Sequence, residues 1–334
     1  MATAPQGRFS FVDEVDGHVA VLSDSGLHPR VVRVIAVAGD AVGNSLTRDG
    51  RYLLIADGSD GADVLSVARA EAGARGAVLG TLGKPRGGRG AIEVTSSPDG
   101  HFAFLSIEDA DRIAVYDLGS ALADRFKEAA SVGSVVLGRA VVGMAVSPDG
   151  QWLYATSELA AGASAAGGGG TLSVISVSQA ERDPARAVVA TVPAGCSPVR
   201  VAVSPEGRLV WVTARESDEL LAFSASELRR DPMHALLAAV RVGEAPVGLA
   251  LLHGGRQVIV ADSNRFNAPG AHASLTVVNA AAALAHRPAV VGTIVAGRFP
   301  REMALEPGGA TLLVSNFGSD QLEAVSLATL IPPR

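Results

Sequence analysis

Residues 141–156 read VVGMAVSPDGQWLYAT and decide the fold. An apolar run precedes the four-residue segment Ser147–Gly150, and the β-rich run Trp152–Thr156 follows it. Ser, Pro, Asp and Gly all favour tight turns, each for a different backbone reason. The segment therefore predicts two antiparallel strands joined by a hairpin turn.

The same turn recurs along the chain every 48 to 57 residues. Its copies are Thr47-Arg48-Asp49-Gly50, Ser97-Pro98-Asp99-Gly100 and Ser204-Pro205-Glu206-Gly207, with looser copies at His253-Gly254-Gly255 and Pro307-Gly308-Gly309. After each of these hairpins (strands A and B) come an alternating strand C and a final strand D. A period near 50 residues with four short strands is typical of a propeller blade.

Six turns and one upstream set of strands predict seven blades. The upstream set covers residues 8–13, 18–23 and 31–38, which fit strands B, C and D. We therefore predict an all-β, seven-bladed β-propeller with four-stranded antiparallel blades, formed as one domain by residues 1–334. Closure at the termini is expected to be irregular, because the first blade lacks strand A and the last, residues 303–330, lacks strand D. Helical composition at 120–130, 225–237 and 280–286 predicts short helices between strands C and D.

Composition limits the functional classes. The 334 residues are 48% hydrophobic and 19% charged, so they can bury a large core. The net charge of −6 argues against a nucleic-acid partner or a basic membrane-surface protein. No run of about 18 apolar residues predicts a membrane span. No secretion signal is visible, which predicts a cytoplasmic protein, although a secreted mature fragment would look the same. The single cysteine excludes an intrachain disulfide and a cysteine-rich zinc site.

The repeats resemble those of the YVTN-repeat and lactonase-type seven-bladed propellers. The likeness is carried by Ser-Pro-Asp-Gly, by strand endings such as Val314-Ser315-Asn316 and Val260-Ala261-Asp262, and by a following Gly/Asp-x-Leu/Val-x-Val strand. It implies a propeller that is either an enzyme or a binding module. If this chain resembled the sugar-phosphate lactonases in detail, we would expect histidines near the start of strand A in several blades. None is present here, so that mechanism does not transfer residue by residue.

Propeller topology places a candidate site on one face. The D–A connections, the B–C loops and the mouth of the central channel share one side, which we call the mouth face. The residue seven positions before each turn glycine forms a column near this mouth: Gly43, Glu93, Gly143, Arg200, Gly248 and Glu302. We predict catalytic roles for the three charged members, with Glu93 or Glu302 as base and Arg200 as an anion clamp. The alternative is that Arg200 pairs with the glutamates and only plugs the ring.

Long B–C loops are the second candidate feature. The loop 262–273 carries Asn264, Arg265, Asn267 and His272, and long loops on rigid scaffolds often bind ligands. The other long loop, 157–170, is Ala/Gly-rich and is expected to be a tolerated insertion. The predicted ligand-binding set is completed by two arginines, Arg86, in the basic Gly-rich loop 83–90, and Arg298.

Two functional hypotheses follow. The first is a lactonase-like enzyme, a hydrolase, lyase or isomerase, that acts by acid–base catalysis on a small anionic molecule at the channel mouth. The second is a non-catalytic scaffold that binds a protein or small ligand. No organic cofactor or metal is expected. Asp57, Asp60 and Asp63 offer oxygen ligands for Ca²⁺, but their spacing is not that of an EF-hand loop.

Overall fold

The computed structural model describes residues 1–6, 8–23, 26–83, 90–127, 130–163 and 168–329. Their strands form seven antiparallel sheets, each built from consecutive strands. Blade 1 comprises β1 (Ala2–Thr3), β2 (Phe9–Glu14), β3 (His18–Ser23) and β4 (Arg30–Ala36), and blade 2 comprises β5 (Gly43–Leu46), β6 (Tyr52–Ala56), β7 (Ala62–Ser66) and β8 (Val78–Leu82). Blade 3 comprises β9 (Ala91–Ser96), β10 (Phe102–Ile107), β11 (Arg112–Asp117) and β12 (Ser131–Val136), and blade 4 comprises β13 (Arg139–Val146), β14 (Trp152–Leu159), β15 (Thr171–Ser176) and β16 (Val188–Pro193). Blade 5 comprises β17 (Pro198–Val203), β18 (Leu209–Ala214), β19 (Glu219–Ser224) and β20 (Leu236–Arg241), and blade 6 comprises β21 (Pro246–Leu252), β22 (Gln257–Asp262), β23 (Ser274–Asn279) and β24 (Val290–Val295). Blade 7 comprises β25 (Pro300–Leu305), β26 (Thr311–Asn316) and β27 (Gln321–Ser326). The predicted seven-bladed propeller is confirmed.

Short helices lie between strands C and D. They are α1 (Val67–Ala72), α2 (Leu118–Asp124), α3 (Val177–Ala180), α4 (Glu227–Arg230) and α5 (Ala280–Leu284). The three predicted helices are present but shorter, because the ends of the helical stretches join strand D or its approach, as Leu236 does in β20. Two further helices, α1 and α3, were not predicted. None of the helices among the described residues is long and apolar enough to cross a membrane.

The inner strands are apolar on both faces because each blade is covered by a blade on either side. In β18, the consecutive residues Val210, Trp211 and Val212 are all fully buried. Val210 and Val212 join one cluster of buried side chains, while Trp211 packs into the neighbouring one. Strands buried on both faces read as continuous apolar runs rather than alternating ones. This explains why strand B gave a strong sequence signal in every repeat.

The repeated turn is held by its own side chains. Ser147 Oγ donates to Asp149 Oδ1 at 2.5 Å and accepts from the backbone N–H of Trp152 at 3.0 Å. Gly150 N–H donates to the Ser147 carbonyl at 2.8 Å. The hydrogen bond from Ser147 holds the pKa of Asp149 below its usual range. Gly150 takes a φ of +72°, in the region that glycine enters most easily.

Two of these turns provide a matched pair for measuring how tightly the blades pack. Gly100 and Gly150 both have a φ of +72°, but a β-carbon on Gly150 would collide with the ring of Pro98, whereas one on Gly100 meets nothing within 4 Å. We expect Gly100→Ala to lower the free energy of unfolding by about 1 kcal/mol. Gly150→Ala should cost about 2–3 kcal/mol, because overpacking adds to the backbone penalty. Urea unfolding of both variants measures the difference, and equal losses would contradict the packing argument.

The ring closes differently from the sequence-based expectation at one end. Ala2 and Thr3 form a short inner strand that pairs with Phe11 and Ser10, so the prediction that blade 1 lacks strand A is wrong. A two-residue strand is too short to show any alternation in sequence. Blade 7 has three strands among the described residues, as expected. Thr3 Oγ1 donates to the Leu305 carbonyl at 3.0 Å, which joins the inner strands of blades 1 and 7.

Candidate functional site at the channel mouth

A β-bulge in strand A positions the predicted column. In blade 5, Pro198 pairs with Ala214 and Val201 with Val212, so Val199 and Arg200 together oppose Thr213. The register shifts in the same way in strands β9, β13, β21 and β25. A bulge re-aims side chains and leaves backbone groups without ladder partners. It therefore directs the column residues towards the channel.

Hydroxyl groups of strand B satisfy the backbone amides that the bulges release. The acceptor hydroxyls belong to Ser106, Thr156, Thr213 and Ser315, at 3.0, 2.9, 3.1 and 3.0 Å from the amide nitrogens of Glu93, Gly143, Arg200 and Glu302. Because buried polar groups are costly without partners, these hydroxyls stabilise the bulges. The backbone beneath the charged column is therefore firmly held.

The three charged column residues meet in one cluster, which we call the ion triad. Arg200 Nε lies 2.8 Å from Glu93 Oε1, and Arg200 Nη2 donates to Glu302 Oε1. Glu93 Oε2 accepts from the backbone N–H of Met144 at 2.6 Å. The Arg200 side chain is 8% exposed, against 21% for Glu93 and 24% for Glu302, so the carboxylates face solvent more than the guanidinium does. Arg200 binds both predicted carboxylates, and its Nε and Nη2 atoms are occupied by them.

The triad separates the two carboxyl pKa values. Burial raises the pKa of Glu93 against the attraction of Arg200, and the negative charge of Glu302 adds to the rise. Burial opposes ionisation of Glu302 as well, but the Arg200 guanidinium brings the pKa of Glu302 below its usual range. One cation shared by two carboxyl groups that repel each other produces this split. Glu302 is therefore the more strongly ionised of the pair.

A fourth charged residue, Arg301, accompanies the triad and was missed by the sequence analysis. Its Nε atom lies 4.0 Å from Glu302 Oε1, and its Cζ atom lies 5.3 Å from the ring centre of Phe317. Burial and the positive charge of Arg200 lower the pKa of Arg301, yet a guanidinium stays protonated at neutral pH. Aromatic contact holds such a cation without neutralising it. Arg301 thus presents a positive charge beside Glu302.

Two aligned columns contain the signal that could have found these residues. The residue eight before the turn glycine is aliphatic in five repeats and Arg in the sixth: Val42, Ile92, Val142, Val199, Val247 and Arg301. The residue eight after the turn glycine varies more, and only glutamate recurs: Gly58, Glu108, Glu158, Arg215, Ser263 and Phe317. Arg215 Nη2 and Glu158 Oε2 form an ion pair at 2.8 Å across neighbouring blades. Burial raises the pKa of Glu108, and the Glu158 charge contributes.

A central cavity of about 560 Å³ opens between blades 7 and 1. Arg301, Glu302 and Phe317 line its inner part, whereas Val31 of β4 and Leu322 of β27 line its outer part. Val31 is exposed, so solvent reaches the outer part of the cavity. The amine of Met1 also reaches this cavity and lies 3.5 Å from Asp13 Oδ2. The central cavity therefore connects Glu302 and Arg301 with solvent.

An outer cavity of about 760 Å³ lies between the long loop of blade 6 and the start of blade 7. It is lined by five residues of the predicted ligand-binding set, namely Asn264, Arg265, Asn267, His272 and Arg298. The sixth predicted residue, Arg86, lies outside the described residues. The structure thus brings the loop residues and Arg298 together in one depression.

An aromatic pair stands between the two cavities. Phe317 lines the central cavity and Phe299 the outer one, and their rings meet edge to face with centroids 5.5 Å apart. Arg265 Cζ lies 5.9 Å from the Phe299 ring centre. Glu302 of the ion triad and the loop residues therefore share the mouth face but line two adjoining cavities rather than a single pocket.

The acidic residues considered for Ca²⁺ form hydrogen bonds or an ion pair within the protein. Asp57 Oδ1 accepts from the backbone N–H groups of Ser59 and Gly61, at 2.8 and 3.1 Å. Asp63 accepts from Thr81 Oγ1 at 2.5 Å, and Asp60 lies 3.6 Å from Arg112. The one cluster that could hold a metal ion among the described residues is elsewhere, at Glu14, Asp16 and His18 on the rim of blade 1.

Comparison with known proteins places the chain among the propellers. The family model described as "Lactonase, 7-bladed beta-propeller" matches residues 30–268. No curated protein sequence matches the chain.

Solved structures of the same architecture are similar over nearly the whole chain. They include the hydrazine synthase of Kuenenia stuttgartiensis, with 17% identity and a TM-score of 0.73 over 98% of this chain and 94% of that one. The Cps50 (Swd1) β-propeller domain of Myceliophteria thermophila has 15% identity and a TM-score of 0.71 over 97% and 94%. A chain of a mitotic checkpoint complex has 13% identity and a TM-score of 0.74 over 97% and 85%. At such identities these structures show the fold alone.

Proposed function

The chain belongs to the lactonase family of seven-bladed β-propellers, and from this membership we propose that it hydrolyses a small, negatively charged cyclic ester in the central cavity. The observation that carries this proposal is the juxtaposition of the Glu302 carboxylate and the Arg301 guanidinium in the central cavity. Of the reaction classes open to such a pair, hydrolysis is the one that the family description names.

Glu302 is assigned the role of general base. It lines the cavity, and its lowered pKa keeps it ionised at neutral pH. Geometry has priority over pKa in the choice of a base, which favours Glu302 over Glu93, since Glu93 is not among the residues that line this cavity. Arg200 and Glu93 are positioning residues, because Arg200 holds the Glu302 carboxylate and Glu93 shares that guanidinium.

Arg301 is assigned the anion-binding role that the sequence analysis gave to Arg200. Arg200 is occupied by two carboxylates, whereas the nearest carboxylate oxygen to Arg301 is 4.0 Å away among the described ion pairs. A guanidinium held on an aromatic ring keeps N–H donors for a carboxylate or phosphate. The charge at this position supports a preference for anionic substrates.

The proposed reaction needs only water as the co-reactant. Glu302 accepts a proton as the water oxygen bonds to the ester carbonyl carbon. The bond between that carbon and the ring oxygen then breaks, and the ring oxygen receives the proton from Glu302. The product is a hydroxy acid, and Glu302 returns to its ionised form.

Substrate charge provides the test of this proposal. We expect turnover of lactones that carry a carboxylate or phosphate, and much weaker turnover of uncharged lactones of equal ring size. Arg301→Gln should raise KM for the anionic lactones at least about tenfold with a smaller effect on kcat, because it removes binding shared by ground and transition states. The matched control is Arg208→Gln, at an exposed arginine beside the A–B turn of blade 5.

Two results would count against the proposal. An unchanged KM in Arg301→Gln would remove the assigned anion site while leaving hydrolysis open. Absence of turnover on every lactone would reject the hydrolase, and the non-catalytic binding scaffold would then be the better hypothesis.

A further inference from the structure

Phe299 has an unusual backbone conformation for a bulky residue. Its φ is +52°, in the left-handed region. The equivalent residues of blades 3 to 6 also have positive φ, but they are small: Gly90, Ala140, Ser197 and Ala245. A bulky side chain in this region is a genuine outlier, and such strain concentrates at binding and catalytic sites. The fold therefore requires the conformation here, but nothing in the repeat requires an aromatic ring.

That ring forms part of the wall of the outer cavity. Its edge-to-face contact with Phe317 supports it from one side, and Arg265 approaches from another. Val295, which also lines the cavity, is 84% exposed. An aromatic ring and an exposed aliphatic side chain in one depression offer apolar surface to a flat group.

The charge of the outer cavity is opposite to that of the whole chain. Arg265, Arg298 and His272 line it, and no Asp or Glu is present among its described lining residues. Neither Arg265 nor Arg298 forms an ion pair with a carboxylate in the part of the chain that the structure describes. In a protein with a net charge of −6, such a cavity attracts anions.

Hydrogen bonds to the neighbouring connection hold the long loop in place. Ser263 Oγ donates to the Ala245 carbonyl at 2.7 Å, and the backbone N–H of Asn264 donates to the Glu244 carbonyl at 3.1 Å. The N–H of Phe266 donates to Glu244 Oε1 at 3.2 Å. The cavity wall is therefore formed before any ligand arrives, which reduces the ordering cost of binding.

From the strained Phe299 backbone, and from Arg265 and Arg298, which form no ion pair with a carboxylate among the described residues, we infer that the outer cavity binds a flat organic anion. The ring of the ligand packs on Phe299 and Val295, and its carboxylate or phosphate is held by the two guanidinium groups. This inference goes beyond the proposed hydrolysis, because the site contains no group of the ion triad and its occupation requires no reaction.

Ligand-observed fluorine NMR provides the test, with 4-fluorobenzoate and 4-fluorophenyl phosphate as probes on the full chain. Both probes, or one of them, should bind, and the comparison separates carboxylate from phosphate recognition. The double substitution Arg265→Gln/Arg298→Gln and the single substitution Phe299→Ala should each weaken binding at least about tenfold. Arg287→Gln, at an exposed arginine after α5, should leave binding unchanged.

Phe299→Ala is informative because it restores the small residue of the other blades and so relieves the backbone strain. Its unfolding midpoint should stay close to that of the wild type, which separates lost binding from lost folding. Glu302→Gln should bind the probes as the wild type does, so that failure of the hydrolase proposal and failure of this inference are distinguishable.

Several outcomes would overturn the inference. They are the absence of millimolar binding by either probe, binding that survives both the arginine and the Phe299 substitutions, and equally strong binding of uncharged 4-fluorobenzyl alcohol. Competition by inorganic phosphate or acetate as effective as that by the flat anions would reject the role of Phe299.

Discussion

Arg200→Met is expected to lower the free energy of unfolding by about 3–5 kcal/mol, because it leaves two partly buried carboxylates without their cation. Arg200 is 8% exposed and contacts both Glu93 and Glu302, so solvent cannot replace the lost charge easily. Urea unfolding at neutral pH measures the loss. The triple variant Glu93→Gln/Arg200→Met/Glu302→Gln should recover most of it, since no uncompensated charge remains.

The loss should depend on pH in a definite direction. In the wild type, the folded-state pKa of Glu302 lies below its unfolded value, so this group stabilises the fold above its unfolded pKa and the contribution disappears as the pH falls through the folded pKa. Without Arg200, burial dominates and the carboxylates favour their protonated forms. The deficit of Arg200→Met should therefore be largest at neutral pH and shrink in acid. A deficit that is independent of pH would contradict the electrostatic explanation, as would an equal deficit in Arg208→Met at the exposed control position.

The second large effect concerns turnover. If Glu302 is the general base, Glu302→Gln should lower kcat by about 10²–10⁴-fold, the range that general base catalysis contributes. Glutamine keeps the shape and the acceptor oxygen that faces Arg200, so the fold should be retained. Steady-state kinetics on the best anionic lactone measures the loss, and an unchanged unfolding midpoint shows that it is chemical in origin.

Two comparisons make the assignment specific. Glu206→Gln, at an exposed turn on the opposite face, should leave kcat unchanged. Glu93→Gln should reduce kcat less than Glu302→Gln does, since Glu93 acts only through Arg200 in this assignment. A greater loss in Glu93→Gln would transfer the role of base to Glu93. In the wild type, the pKa that governs the loss of kcat/KM in acid should lie below the ordinary range of glutamate pKa values, because the pKa of Glu302 is lowered.

The sequence predicted the charged column because the turn glycine gives every repeat a common origin. Counting back from it places Glu93, Arg200 and Glu302 at equivalent positions. Arg301 was missed because successive side chains of a regular strand point to opposite faces, which would separate Arg301 from Glu302. Only the bulge in β25 lets these two adjacent residues serve one site. Phe299 and Phe317 were missed for a different reason, because each lies in a connection between strands. No alternation of apolar and polar residues singles out a side chain there, although the turn glycine places both residues in aligned columns.

The sequence by itself determined the number of blades, the position of the mouth face and the charged column beside it. These features follow from local chemistry, because the turn of Ser147–Gly150 closes through its own hydrogen bonds. Repetition of this turn along the chain leaves few folds other than a ring of blades. Only the tertiary structure decided how the charges are shared. Arg200 reaches Glu93 from blade 3 and Glu302 from blade 7 because the ring brings distant repeats to one axis. The separation into two cavities has the same origin, since it depends on side chains from different blades that no sequence spacing relates.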